Sequence, residues 1–510
     1  MYRQLTINTL INLLNLTVNI IVGFLIAPYF IHSLGSELYG IWVFTLSLSV
    51  TRGALIIFDL GILSALVKYV AEYHAQGDPR KVNEAFSGAF LTYLLIGGVT
   101  ALGLLVFAAA FSGSLFRTPP EHLDTARSLL FILALQTLFD FPALAVQGVL
   151  EGLQRYDVTR GLNIVRIFLY SGLSLLFLQA GMGVYALAWA TFLSELVRLL
   201  GHIYWGRRAF PAWRLVYCPS RAVLRAMVGL SSKMFVFALA TTVYNQMDQI
   251  ILATRLSTTA LTDYDISARL HTLVFALTTL IGPFMVPAAS ALYAQADLPA
   301  LRRLMLRATR FTAAFAAPAT ILLIVLAESM TRYWIGAEYL HTVTATRLFL
   351  SYLLMYLLIR VGQNMLIGMN RLAVLLPALL ISTIVNLLVS LIAVGSLGVT
   401  GVILGTVVGN AAACLLYLYA FRRDIGITFS EVWRRVIWRT YPQALMAGGA
   451  VFLLATSQPP RNLFQVGLYG ALGMLVYFGL FAFTGLERVE RQALTRIILR
   501  QPRPTTPDME

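Results

Sequence analysis

Charge is scarce in this chain. Only 12% of its 510 residues are Asp, Glu, Lys or Arg, against 58% hydrophobic ones, and the mean hydropathy is +0.77. Ordinary globular domains carry about 25% charged residues, so a water-soluble fold is excluded. Cysteine is scarcer still: there are two, Cys218 and Cys414, and no disulfide framework is expected from them. The six histidines are scattered. There is no His-Glu-x-x-His, no paired Cys-x-x-Cys and no Gly-rich phosphate loop. Neither a metal site nor a cofactor is expected. No segment on the outer side is long enough to fold into a catalytic domain, so an enzyme, in particular a membrane glycosyltransferase, is disfavoured.

What the chain has in abundance is apolar runs, each able to cross a hydrocarbon layer that takes about 20 helical residues. Fourteen are predicted, near 6–31, 38–62, 84–111, 126–150, 160–179, 183–206, 231–254, 266–293, 308–328, 342–368, 373–396, 399–421, 439–457 and 463–484. They are read as helices, because a spanning strand would need alternation and closure into a barrel. The expected class is an all-α membrane protein.

The net charge of +15 could suggest nucleic acid, but the cations are not spread evenly. With the first residues on the cytoplasmic side, the inner loops and tails hold 25 Lys and Arg, and the outer loops hold four, Arg117, Arg255, Arg332 and Arg461. By the positive-inside rule this places both termini in the cytoplasm, and Cys218 with them. The basic balance is topological, and no nucleic-acid partner is expected.

The sequence repeats itself. Ala75-Gln76-Gly77-Asp78 returns as Ala294-Gln295-Ala296-Asp297; Gln147, Leu150, Gly152 and Arg155 return as Gln363, Leu366, Gly368 and Arg371; Gly183, Thr191 and Arg207-Arg208 return as Gly398, Thr406 and Arg422-Arg423. The offsets are 219, 216 and 215 residues. An even number of spans per copy gives both copies the same orientation, a parallel repeat about the membrane normal. The expected division is an N-lobe over 1–206, a cytoplasmic linker over 207–230, a C-lobe over 231–423, two extra spans over 424–486 and a disordered cytoplasmic tail over 487–510. The stretches 221–230 and 429–439 are expected to lie on the membrane surface. Gly401, Gly405 and Gly409 form a small-residue stripe that lets another helix approach closely.

Polar chemistry at membrane depth is the candidate site. Arg52, Asp59, Asp140, Asp248, Arg269 and Arg360 all fall inside predicted spans, where each charge costs about 2.5–3.5 kcal/mol on insertion scales. They must face protein or water. Arg52 and Asp59 are expected on one face of the second span, two helical turns apart, and Gln136, Asp140 and Gln147 on one line of the fourth. Asn8, Asn12, Asn15 and Asn19 make a stripe along the first span, read as a cavity wall in preference to an interhelical seam. Arginine in a cavity suits an anion, because the guanidinium grips phosphate oxygens in pairs. The candidate ligand-binding residues are thus Arg52, Arg360, Arg269, Asn15, Asn19 and Asp140. Asp59 and Asp248 are candidates for a coupling proton or sodium ion. The Glu195–Arg198 pair is read as structural.

Four stretches carry a family likeness: Leu34-Gly35-Ser36-Glu37-Leu38-Tyr39-Gly40-Ile41-Trp42, Phe58-Asp59-Leu60-Gly61-Ile62, Leu66-Val67-Lys68-Tyr69-Val70-Ala71-Glu72-Tyr73 and Gly148-Val149-Leu150-Glu151-Gly152-Leu153-Gln154-Arg155-Tyr156. They resemble polysaccharide-export flippases of the MOP superfamily, the group of oligosaccharide-lipid flippases and MATE exporters. The resemblance implies two six-helix lobes plus two C-terminal helices, alternating access, and movement of a polyprenyl-diphosphate-linked glycan from the inner to the outer leaflet of the cell membrane. Its implied partners are that glycan lipid and membrane lipids. A MATE-like ion-coupled exporter of small molecules is the alternative.

Overall fold

The computed structural model describes residues 2–110, 118–216, 219–279, 281–486 and 490; Arg117, Cys218 and the expected tail apart from Glu490 lie outside them. Every regular element among the described residues is helical, and ten helices are long and apolar enough to cross a membrane. Two of these carry a break. Helix α1, Tyr2–Leu48, contains Gly35 at φ 76°, and a 54-residue helix, Leu372–Ile425, contains Gly398 at φ 57°. Each runs over parts of two predicted spans, joined at a glycine whose positive φ interrupts the helical register.

The other elements are α2 (Ile62–Ala75), α3 (Pro79–Ala110), α4 (Leu123–Gly152), α5 (Tyr156–Gln179), α6 (Tyr185–Ala209), α7 (Arg221–Arg255), α8 (Thr258–Thr279), α9 (Gly282–Ala294), α10 (Leu298–Trp334) and α11 (Val343–Gly368). The kinked Leu372–Ile425 is α12, followed by α13 (Phe429–Val432), a π turn (Trp433–Ile437), α14 (Trp438–Ser457) and α15 (Leu463–Thr484). Three expectations are corrected here. The second predicted span is not one helix, since α1 ends at Leu48 and a 3-10 turn, Ala54–Asp59, precedes α2. The eighth is split between α8 and α9. The stretch 221–230 is not a separate surface helix but the first part of α7.

The chain folds as two compact units, one formed by Met1–Arg269 with Leu379–Gly409, the other by Leu270–Ala378 with Asn410–Glu510. In the first, α2, α3 and α4 pack around buried Leu66, Val70, Ala85, Tyr93, Phe141 and Val149. Lipid tails are as apolar as leucine, so close approach rather than exclusion of water drives such packing. A Cβ built on Gly152 would lie 2.6 Å from Val70 Cβ, and one on Gly148 2.7 Å from Leu66 Cδ2. The second unit uses the same device: Gly362 faces Phe421, where an added Cβ would come within 2.1 Å of the ring, in a core shared by Met305, Val361, Met365 and Tyr417.

The repeat is written in the backbone as well as in the residues. Gly77 and Ala296, offset by 219, both take positive φ, at 70° and 55°. Beside them Asp78 N–H donates to the Tyr73 carbonyl at 3.0 Å and Asp297 N–H to the Leu292 carbonyl at 3.1 Å. Both aspartates then accept from the backbone three residues on, from Lys81 at 3.0 Å and Ala300 at 2.9 Å. Gln154 and Asn370 repeat at φ 60° and 57°, and Gly183 and Gly398 at 56° and 57°. Because a left-handed L-residue costs roughly 1–2 kcal/mol, Ala296→Gly should raise the thermal midpoint of the purified protein, and Gly77→Ala should lower it. Equal midpoints for both variants would contradict this reading of the turn.

Candidate functional site

The first unit holds a continuous polar chain at membrane depth. Asn12 Oδ1 accepts from Arg160 Nε at 2.9 Å, and Arg160 pairs with Glu151 at 3.6 Å. Gln147 Nε2 donates to Glu151 at 2.9 Å, while its Oε1 accepts from Arg198 Nη1 at 3.2 Å. Glu195 then bridges Arg198, at 2.6 Å, and Arg166, at 3.4 Å. Arg166 Nε donates to Asn163 Oδ1 at 3.0 Å, and Asn163 Nδ2 to Asn15 Oδ1 at 2.7 Å. Asn12 and Asn15 therefore bond to α5, as an interhelical seam does, while Asn19 is exposed. Glu195 and Arg198 pair as expected, but within a network that also takes in Arg166 and Gln147. The side chain of Asn8 lies outside the described ones.

Arg52 sits in the turn after α1, not on a helix face, and Asp59 is the last residue of the 3-10 turn. Their seven-residue spacing thus places them on no common helix. Asp59 accepts from Leu63 N–H at 3.0 Å, capping α2, and from the buried Tyr93 hydroxyl. Arg52 is fixed by its backbone alone: its N–H donates to Ser49 Oγ at 3.2 Å and its carbonyl accepts from Gln246 Nε2 at 3.0 Å. The guanidinium is exposed and makes no ion pair with a carboxylate among the described residues.

Arg269 is the opposite case. Its Nε donates to Asp265 at 2.6 Å, Nη1 to the Gly23 carbonyl at 2.6 Å and Nη2 to Tyr39 Oη at 2.8 Å, while the Tyr39 hydroxyl donates to the same Asp265 at 2.7 Å. The guanidinium clasps α8 to α1. Asp140 is buried and accepts from Gln136 Nε2 at 3.0 Å. In the second unit, Arg360 lies over the Tyr356 ring at 5.9 Å, and its buried Nε has no hydrogen-bond partner. Asn364 bonds to the Arg360 carbonyl at 3.2 Å, not to its guanidinium.

Asp248 stands in a cage that sequence reasoning did not find. Its carboxylate is 4% exposed and accepts from Thr406 Oγ1 at 2.7 Å, Tyr264 Oη at 3.1 Å and Asn386 Nδ2 at 3.2 Å. The single Ser390 Oγ proton is shared between Asn386 Oδ1, at 2.8 Å, and the Val402 carbonyl, at 3.1 Å. No cation pairs with this carboxylate among the described residues. A buried carboxylate held by neutral donors alone is costly unless a proton or a cation neutralises it.

The glycine stripe makes the cage possible. A Cβ at Gly405 would lie 2.0 Å from Ser390 Oγ and 2.7 Å from the Asn386 carbonyl, and one at Gly409 2.5 Å from the Ser382 carbonyl. The two arms of α12 therefore touch through bare backbone. Gly405→Ala should cost several kcal/mol, on the order of 2–4 by analogy with overpacking and loss of buried polar contacts. Loss of folded protein in detergent, read by size-exclusion chromatography, checks this.

Ten helices long and apolar enough to cross a membrane, with charges between them and two spans broken at glycine, define an all-helical multi-pass membrane protein. The chain belongs to the Polysaccharide biosynthesis protein family, whose match spans residues 34–344. It is 22% identical over 457 residues to the probable low-salt glycan biosynthesis flippase Agl15 of Haloferax volcanii, covering 89% of this chain and 90% of that one. Its fold matches that of the lipid II flippase MurJ in an inward closed conformation, with a TM-score of 0.73 at 14% identity over 97% of this chain and 99% of the other. An inward-facing multidrug resistance MATE transporter of the MOP superfamily matches with a TM-score of 0.63 at 17% identity, over 82% and 94%.

Proposed function

We propose that the protein is a flippase that moves a polyprenyl-diphosphate-linked oligosaccharide from the inner to the outer leaflet by alternating access, for assembly of a surface polysaccharide. The observation that carries this is that Arg52 and Arg360 make no ion pair among the described residues, whereas Arg166, Arg198 and Arg269 are committed to carboxylates. A diphosphate supplies the missing counter-charge, and a guanidinium keeps its charge when partly dehydrated. We assign Arg52 and Arg360 to the diphosphate, Asn19 and Asn15 to the adjoining polar wall, and Arg269 to the clasp that positions α8. Asp248 is assigned to the coupling ion, a proton or sodium, ahead of Asp59, whose carboxylate is occupied in capping α2.

In this reading the lobes are the two sequence copies, 1–206 and 231–423, and the bias of 25 cations to four sets both termini in the cytoplasm of a cell-membrane protein. A membrane-impermeant thiol reagent should leave Cys218 unlabelled in intact cells and label it once membranes are opened. Labelling from outside would reverse the direction of transport. The function itself is tested in proteoliposomes with a fluorescent polyprenyl-diphosphate oligosaccharide, scored by its accessibility to an added glycosidase. Export of a cationic dye without movement of the glycan lipid would instead establish a small-molecule exporter.

A further inference from the structure

One charged feature of the second unit has no part in the transport reading. Where the start of α10 meets α13 and its π turn, a cleft of about 490 Å³ is lined by Arg302, Arg303, Glu431 and Arg435 over a floor that includes Pro299 and Ile425. Its one acid is already committed. Glu431 pairs with Arg302 and accepts from Thr428 N–H at 3.2 Å and Thr428 Oγ1 at 3.3 Å, closing a capping box on α13. Although burial works to raise its pKa, these bonds hold the Glu431 carboxyl below its usual range, so it stays ionised and consumes the charge of Arg302. Arg303 and Arg435 make no ion pair among the described residues, and both are exposed. The cleft therefore holds two uncompensated guanidinium groups.

The segment that supplies Glu431 and Arg435 also carries exposed aromatics. Phe429, Trp433 and Trp438 are 55%, 47% and 64% exposed. Phe429 and Trp433 are four residues apart with ring centroids 6.3 Å apart. Trp433 and Trp438 are five apart, one opening the π turn that runs Trp433–Ile437 and the other following it. Exposed tryptophans at the start of a helix that the sequence reads as a span, 439–457, are characteristic of the headgroup level of a bilayer.

We propose that this cleft is a binding site for the phosphodiester headgroup of an anionic membrane lipid, with Arg303 and Arg435 on the phosphate oxygens and Phe429, Trp433 and Trp438 at the acyl boundary. The charge selects an anion, basic pockets beside spans being suited to acidic headgroups. The exposed aromatics of the same segment select a lipid over a soluble phosphate. The site is separate from the arginines assigned to transport, so it stands or falls without the flippase reading.

The test uses the purified full-length protein in micelles of neutral detergent and phosphatidylcholine, titrated with phosphatidylglycerol, with inorganic phosphate and glycerol 3-phosphate as soluble arms. The thermal midpoint should rise and saturate with phosphatidylglycerol only. In the Arg303→Gln, Arg435→Gln variant the midpoint of half-saturation should move at least tenfold, while Arg434→Gln, beside the cleft but not lining it, should titrate like the wild type. If the glutamine variant does not fold, Arg303→Lys with Arg435→Lys keeps the charge and loses the paired grip, and should weaken binding severalfold. An unchanged titration in the glutamine or lysine variant, or an equal rise with inorganic phosphate, would overturn the assignment.

Discussion

Flipping of a polyprenyl-diphosphate oligosaccharide by the Arg52→Ala, Arg360→Ala double variant is expected to fall below detection while the amount of folded protein in the membrane stays the same. Each guanidinium that grips a phosphate contributes charge-assisted hydrogen bonds of about 1.5–3 kcal/mol, so each single alanine should slow transport roughly tenfold to a hundredfold. Lysine at either position should recover part of the rate, because the charge remains without the fork. Folding should be spared for a structural reason: among the described residues neither guanidinium has a carboxylate that would be left orphaned. Arg269→Ala supplies the contrast. It strands Asp265 and the 1% exposed Tyr39, and should cost folded protein first, since a half-buried ion pair and the hydrogen bonds to Gly23 and Tyr39 are lost together. Full flipping by the double variant, normalised to folded protein, would remove both residues from the site.

The second large effect is expected at Asp248. Asparagine keeps the shape and most of the hydrogen bonds but removes the charge, so Asp248→Asn should fold at least as well as the wild type, a buried unpaired carboxylate being the costlier group. Transport driven by an imposed gradient should nevertheless lose its dependence on that gradient. Comparing sodium and pH gradients in proteoliposomes identifies the ion, since the wild type responds to one of them. If Asp248 only tied α7 to α12, the asparagine variant would keep the gradient response, and the coupling role would be withdrawn.

Much of this was legible in the residues, and the failures have physical causes. The offset copies were readable because turns demand particular backbone: Gly77 and Gly183 mark left-handed positions that Ala296 and Gly398 repeat. The stripe Gly401, Gly405, Gly409 was readable because only glycine tolerates contact at that range. The second predicted span was misread because Ala54, Leu55, Ile56, Ile57 and Phe58 are as apolar as any helix, and only Gly53 and Gly61 hint that the chain turns there. Asn386, Ser390 and Thr406 were missed because small polar residues are frequent in apolar helices. What brings Asn386 beside Thr406, twenty residues on, is the break at Gly398. The asparagine stripe was seen, but that Asn12 and Asn15 meet Arg160 and Asn163 depends on how α5 lies against α1, which no single-helix periodicity states.

The division of the chain has a consequence for the order in which the protein is made. Asp248 emerges 138 residues before Asn386 and 158 before Thr406, because Leu270–Ala378, belonging to the other unit, is synthesised in between. At about 5–20 residues per second, the aspartate waits roughly 7 to 30 s in a membrane without two of its three partners. Over that interval Tyr264, sixteen residues away, is the one donor of the cage already made. The ribosome has therefore passed Gly409 before the first unit can close.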